Sequence, residues 1–253
     1  MLDIRNHTGG ENARPHQRTA LIAIELERFG VDIAALSETR ILGEGSFTEV
    51  GGGYTFFWRG YPEGEPRQHG VGLAIRTELM DKIVEAPTCI SERLMTLRVP
   101  LVKGEYATIL SCYAPALTSE DEQKDLFYEQ LHTVLSETKK EDKIILLGDF
   151  NARVSTDAAV WDGVIGRNGV GKMNSNGLRL LTLCSEFRLT ITNTIFRMKN
   201  RYKTSWMHPR SKHWHLLDYV IVRQCDIKFV KKTSAIRGAE CSTDHHLIAS
   251  NIT

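Results

Sequence analysis

An aspartate and an asparagine, Asp149 and Asn151, stand two residues apart in Gly-Asp-Phe-Asn, directly after four consecutive apolar residues at 144–147. The apolar run reads as a strand buried on both faces, and Gly-Asp-Phe-Asn is turn chemistry at its end. A buried strand then delivers a carboxylate and a carboxamide to a rim. On extended backbone, residues two apart point the same way, so Asp149 and Asn151 converge on one small target while Phe150 turns away. That target is a water or a phosphate oxygen. An Asp/Asn-rich turn that only reverses the chain accounts for the same four residues, so the remaining strand ends must decide.

Polar residues recur at those ends. Glu38 follows Ile-Ala-Ala-Leu, Tyr113 follows Thr-Ile-Leu-Ser-Cys, Asp218 precedes Tyr-Val-Ile-Val, and Asp244 with His245 precedes Leu-Ile-Ala-Ser. Four acids, an amide, a phenol and an imidazole on strand termini are what an oxygen-ligated Mg²⁺ site with a general base requires. A hard divalent ion takes few carboxylates and keeps waters, which suits Glu38. Asp149 could deprotonate an attacking water, and Asn151 could hold that water or a phosphoryl oxygen. Asp218 paired to His245 would fix the imidazole tautomer and favour its charged form against a phosphate. Taken singly, each is matched by a solvated loop acid or a structural histidine; their convergence is the inference.

The elements that must position these groups fit one domain. The 253 residues suffice for a single large core. With 32 basic and 31 acidic residues the net charge is +1, so no global field recruits nucleic acid or a membrane, and any anion site must be local. Five scattered cysteines without CxxC spacing argue against a disulfide framework or a zinc site and for a reducing compartment. The sequence shows no signal peptide and no long apolar run, which predicts a nuclear or cytoplasmic protein that is not secreted.

Residues 1–16 read as a loose polar leader, and 17–253 as one domain. Leu21, Ile22, Ile24, Leu26 and Phe29 predict a helix ending at Gly30. Residues 43–53 read as a glycine-rich loop. Two strand pairs follow, at 54–58 with 69–76 and at 95–101 with 106–115. Ser119 and Glu122 predict a capping box for a helix to about Glu137, with Leu126, Phe127, Leu131, Val134 and Leu135 on one side. A helix at 177–187 precedes a strand at 189–196. Strands outnumber helices and include hairpins, so a purely parallel sheet is not expected.

Residues 197–215 carry six Lys/Arg, three His and no acid. Arg201, Lys203, Arg210 and Lys212 would lie on a DNA backbone, with Trp206 or Trp214 wedging or stacking; a solvated hairpin is the plainer alternative. Gly166 to Met173 nearly spells a P-loop, but Met173 stands where a Mg²⁺-binding hydroxyl belongs, so no NTP site is expected. The histidines at 208–215 have no flanking cysteine and do not read as a zinc cluster.

SETR at 37–40, GVGLAIR at 70–76, CYAP at 112–115, LLGDFNARV at 146–154, TSWMHP at 204–209, LLDYVIV at 216–222 and STDHHLI at 242–248 together resemble the endonuclease/exonuclease/phosphatase superfamily. The match runs in order along nearly the whole chain. Within that superfamily the sequence is most similar to RTE-like non-LTR retrotransposon endonuclease domains and the craniofacial development protein 2 type. The resemblance implies a DNase I-like α/β fold: a four-layer sandwich of two mixed β-sheets flanked by helices. It also implies Mg²⁺-dependent phosphodiester cleavage of DNA, with Mn²⁺ as a substitute. By that likeness Glu38 binds metal, Tyr113 the scissile phosphate, Asp149 activates water and Asn151 orients it. Asp218 and His245 form the charged pair opposite the leaving group, and Asp244 is a metal or water ligand.

Departures from the pattern bear on activity. Relatives begin with a core strand carrying a metal-site Asn, whereas this sequence starts at MLDIRNHTGG, beyond that strand, and Asn6 is not a convincing substitute. Ala116 stands where many relatives place an Asn, and the sequence carries no reverse transcriptase. The expectation is therefore a nicking endonuclease of retrotransposon origin. Two alternatives stand beside it: a catalytically inactive truncated relic that binds nucleic acid or a protein, and a phosphoinositide or other phosphoester hydrolase of the same fold.

Overall fold

A computed structural model describes Leu2–Asp3, residues 15–239 and residues 243–253. Leu2–Asp3 (β1), Ile33–Ser37 (β2), Glu44–Thr48 (β3), Tyr54–Arg59 (β4) and Val71–Arg76 (β5) form one sheet in the order β1-β2-β5-β4-β3. β1 pairs in parallel with β2 and the others are antiparallel. Helix α1 (Pro15–Arg28) lies outside this sheet, and the short α2 (Thr77–Met80) follows β5. The second sheet holds Thr88–Ser91 (β6), Leu94–Pro100 (β7), Tyr106–Tyr113 (β8), Lys143–Asp149 (β9), Leu189–Ile191 (β10) and Asp218–Arg223 (β13). Their order is β10-β13-β9-β8-β7-β6, and only β8 and β9 run parallel. α3 (Asp121–Glu137) makes that parallel crossover, and α4 (Ser175–Glu186) packs beside it. Two hairpins complete the chain: Trp206–Met207 (β11) with Trp214–His215 (β12), and Val230–Ile236 (β14) with Leu247–Ile252 (β15).

Side-chain alternation along β9 explains the layering. Ile144 and Leu146 join a core with Phe127, Leu131, Leu180 and Leu181 under α3 and α4. Ile145 and Leu147 face the opposite way, against Leu73, Ile75, Met95 and Leu97, where the two sheets meet. A third cluster packs Ile22, Ala23 and Leu26 of α1 on Leu36, Phe56 and Ala74. The arrangement is thus helix, sheet, sheet, helices, as expected, with the central strand buried on both faces. The Ser111 hydroxyl donates to the Gly72 carbonyl at 2.8 Å and ties the sheets together.

Several local expectations are corrected. α1 ends as predicted: Gly30 has φ +62°, and the Gly30 and Val31 amides donate to Glu27 and Leu26. Leu21 and Ile24, however, face solvent at 48% and 58% exposure, because the apolar stripe is centred on Ile22 and Leu26. In α3 the buried face runs through Phe127, Leu131 and Leu135, which leaves Leu126 exposed. The expected capping box does not form: Glu120, not Ser119, is the N-cap, and it makes no side-chain cap bond. The Ser119 amide instead closes a turn onto Ala116. The glycine-rich 43–53 stretch contains edge strand β3, held by register with β4. The expected strand at 189–196 stops at Ile191, where a 3₁₀ turn begins. α1 starts at Pro15, and most of the expected leader, with Asn6, lies outside the described residues.

Gly148 sits one residue before Asp149 with φ +152°, and a Cβ there would lie 1.8 Å from the Cys112 carbonyl oxygen. Only glycine lets β9 approach β8 this closely at the rim. Gly148→Ala should therefore cost about 2 kcal/mol or more, seen as a lowered urea midpoint.

Candidate active site

Strand register brings three of the singled-out residues abreast. At the end of β9, Asp149 pairs with Tyr113 of β8 on one side and with Asp218 of β13 on the other. Glu38 reaches the same rim from the end of β2 in the facing sheet, its backbone turned to φ +50°, and accepts a 2.9 Å hydrogen bond from the Tyr113 hydroxyl. Arg40 donates to the other Glu38 oxygen at 3.2 Å. Arg93 is buried beneath Tyr113, donating to its carbonyl at 3.3 Å with the guanidinium 5.1 Å from the ring centre. Burial and the neighbouring Glu38 and Asp149 carboxylates push the Tyr113 phenol far above its ordinary range, so it remains a hydroxyl donor.

Asp149 and Asn151 do meet, by a different geometry from simple alternation. The strand stops at Asp149, Asn151 adopts φ +45°, and its amide donates to Asp149 Oδ1 at 2.8 Å. Phe150 turns into the core as expected. The Asn151 side-chain amide donates to the Ala114 carbonyl at 2.9 Å, which orients its oxygen.

The fourth component comes from the chain's last loop. His245 Nδ1 lies 2.8 Å from Asp218 Oδ2. One ligating atom from each of Asp149, Asp218 and His245 falls within 4.8 Å of the others. Ser205 gathers the pieces: its hydroxyl accepts from the Leu217 and Asp218 amides, and its carbonyl accepts from the His246 amide at 2.7 Å. Asp244 is engaged by Trp206, whose indole N–H donates to Oδ2 at 3.0 Å.

Charge in this centre is set by burial and by three neighbours. Burial, then the Asp218 charge, raise the Asp149 carboxyl to about 7, against an opposing pull from His245. Burial alone would lower His245, but the Asp218 carboxylate overrides it and lifts the imidazole to about 9. Burial likewise works against ionised Asp218, and His245 nonetheless holds it below the usual carboxylate range. At neutral pH, Asp218 and His245 are an ion pair.

A divalent cation fits these donors. Asp218 Oδ1 is buried with no hydrogen-bond partner among the described residues, and Asp149 is crowded by a second carboxylate, a pattern that a hard cation relieves. Glu38 adds a third oxygen donor. His245 Nδ1 is already engaged by Asp218, so the carboxylate oxygens suit a hard cation better than the imidazole does.

The basic segment divides. Arg201, Arg210 and Lys212 are exposed. Lys203 is buried, and its ammonium donates to the Asn168 carbonyl at 2.9 Å, so the expectation that it meets a nucleic-acid backbone is corrected. Trp206 and Trp214 are half-buried in the β11–β12 hairpin, and Trp214 stacks on His246 at 4.5 Å.

Asn176 was not singled out from sequence. It is 1% exposed, and its amide donates to the carbonyls of Pro115 and Asn151 at 3.1 and 3.0 Å, clamping the Tyr113 loop to the Asn151 turn. The available signal was Asn-Ser-Asn-Gly ahead of a helix, where Asn174 is the N-cap. Asn176→Ala should lower stability by about 1–3 kcal/mol and reduce turnover more than substrate affinity, checked by melting and steady-state kinetics.

The fold agrees with the comparisons. Residues 6–245 match the endonuclease/exonuclease/phosphatase family, and the chain belongs to it. Enzymes of this superfamily are generally divalent-metal dependent. Over 224 residues the chain is 30% identical to craniofacial development protein 2 of Bos taurus, covering 88% of this chain and 36% of that protein. The Tragulus javanicus protein of the same name is also 30% identical over 224 residues, covering 88% and 38%. The chain therefore spans under two-fifths of the length of these curated relatives. Among solved structures it is similar to the endonuclease domain of TRAS1, a telomere-specific non-LTR retrotransposon, with TM-score 0.64, 17% identity and coverage of 93% and 94%. It is also similar to a 3′ phosphatase, NExo from Neisseria, bound to product DNA hairpin, with TM-score 0.65, 17% identity and coverage of 94% and 95%. These neighbours share the DNase I-like architecture. No described helix is long and apolar enough to cross a membrane.

Proposed function

We propose that the chain is a Mg²⁺-dependent DNA phosphodiesterase that nicks one strand and leaves a 3′-hydroxyl. The observation that carries this reading is the alignment of Tyr113, Asp149 and Asp218 on three adjacent strands, closed by Glu38 from the facing sheet and by His245. Glu38 and the Oδ1 of Asp218 are the oxygen donors that would hold Mg²⁺, with Mn²⁺ as a substitute, leaving Asp149 as the base. The ion, when bound, supplies Lewis-acid stabilisation of phosphoryl charge.

The chain's own groups do the rest. Asp149 in its ionised form takes the proton of a water that Asn151 orients, the new P–O bond forms as the P–O3′ bond breaks, and the departing 3′-oxygen takes up a proton from solvent water. The Tyr113 hydroxyl shifts its hydrogen bond from Glu38 to a phosphoryl oxygen. The His245 imidazolium, held in orientation by Asp218, stabilises the added negative charge. Arg201, Arg210 and Lys212 contact neighbouring phosphates, with Trp206 and Trp214 in the hairpin between them. The free thiols Cys89, Cys112, Cys184 and Cys225 fit a reducing nuclear or cytoplasmic setting.

Cleavage of a fluorescent duplex in Mg²⁺ should give 3′-hydroxyl and 5′-phosphate ends, identified by polymerase extension of the nick. Release of inorganic phosphate from a phosphomonoester without any internal cleavage would replace this reading with that of a phosphatase.

A further inference from the structure

Beside the catalytic rim lies a pocket of about 420 Å³ into which Arg153, Arg201, Lys212 and Arg237 all open. These four cations come from separate parts of the chain: the turn after Asn151, the 3₁₀ turn at Asn200–Tyr202, the tip of the β11–β12 hairpin and the end of β14. None of them is ion-paired to a carboxylate among the described residues, and no described carboxylate lines the pocket. In a chain whose net charge is only +1, four converging cations with no ion-pair partner among the described residues are a local positive field. The Trp214–His246 stack, with rings 11° from parallel, forms part of the wall, and the buried side of the pocket reaches Leu216, two residues from Asp218. Burial and the Arg153 guanidinium, which lines the same pocket, hold His215 below its ordinary range.

We infer that this pocket binds a phosphate group of the nucleic-acid chain other than the scissile one, fixing the register of the strand that enters the active site. The inference rests on the nuclease reading for its ligand and deepens it. Arg153 and Arg237, which sequence reading passed over, become binding residues. Guanidinium groups suit the task because their forked donors match phosphate oxygens.

The test is duplex binding by fluorescence anisotropy in EDTA, where no cleavage occurs, for wild type and for Arg153→Gln, Arg237→Gln and the double variant. The double variant should bind about tenfold more weakly, and its log–log salt slope should be shallower by about one. Inorganic phosphate should compete with the duplex in wild type at lower concentration than in the double variant. In Mg²⁺ the double variant should raise KM with kcat within about twofold. Unchanged affinity and salt slope in a variant that melts like wild type would overturn the inference. So would phosphate binding that depends on the two arginines while duplex binding does not, because the pocket would then serve a free anion. Absence of cleavage by wild type, with arginine-dependent duplex binding intact, would overturn the nuclease reading and leave the pocket assignment standing.

Discussion

Asp149→Asn should abolish nicking while making the folded protein more stable at neutral pH. A general base is worth about 10²–10⁴ in rate, so residual activity should fall by at least about a hundredfold. The stability gain follows from the sign of the carboxyl's shift. Its pKa is about 7 in the folded chain and about 4 when unfolded. The folded state therefore holds that proton more tightly, and the associated stability is whole below about pH 4 and lost as pH rises through about 7. Three pKa units correspond to a ceiling of about 4 kcal/mol, and an amide of the same shape escapes this penalty while its oxygen still accepts the Asn151 N–H. Urea unfolding of the metal-free proteins at pH 5 and pH 8 checks it. The advantage of Asp149→Asn should widen at the higher pH, and equal stability at both would show that the carboxylate is not desolvated as the site geometry requires.

Asp218→Asn should be the most destabilising change in the centre. Asp218 is 1% exposed and bonded to His245, so removing its charge takes from a buried imidazolium its hydrogen-bonded counter-ion, at a cost of about 3–5 kcal/mol. The pH signature has two limbs. His245 is raised to about 9 from an ordinary value near 6.5; its stabilisation is whole below about pH 6.5 and disappears as pH rises through about 9. Asp218 is lowered, so its contribution is present above its ordinary value and is lost in acid. The gap between wild type and Asp218→Asn should therefore be largest in mildly acidic solution, from about pH 4 to 6.5, and should close above pH 9. Thermal melting across that range measures it. Nicking should fall in parallel, because the imidazolium that faces the phosphate is lost.

Much of this centre could be read from residue order because the signals are local. A run of apolar residues ending in Gly-Asp-Phe-Asn fixes a strand and its rim, and Leu-Leu-Asp-Tyr and Asp-His-His place further polar groups at strand ends. What a single sequence does not carry is lateral register. Nothing in the residues around Tyr113 or Asp218 states that both pair with Asp149, and that pairing depends on contacts between strands distant in sequence. The errors share this origin. Lys203 counts as one more cation in a basic run until tertiary packing places its ammonium on the Asn168 carbonyl. Asn151 was assigned its direction from strand alternation, whereas a left-handed backbone and the Ala114 carbonyl set it. Asn176 and Ser205 act through backbone groups of remote segments, and no periodicity announces such a role.

The measurement that bears most directly on the central claim is nicking of supercoiled plasmid by the purified chain in Mg²⁺, beside an EDTA control and folded Asp149→Ala. Conversion to the open circle by wild type, lost in both controls, is the expected result. Open-circle formation that persists in folded Asp149→Ala, or no formation by a folded wild-type chain in Mg²⁺ or Mn²⁺, would contradict the assignment of this rim as a metal-dependent nuclease centre.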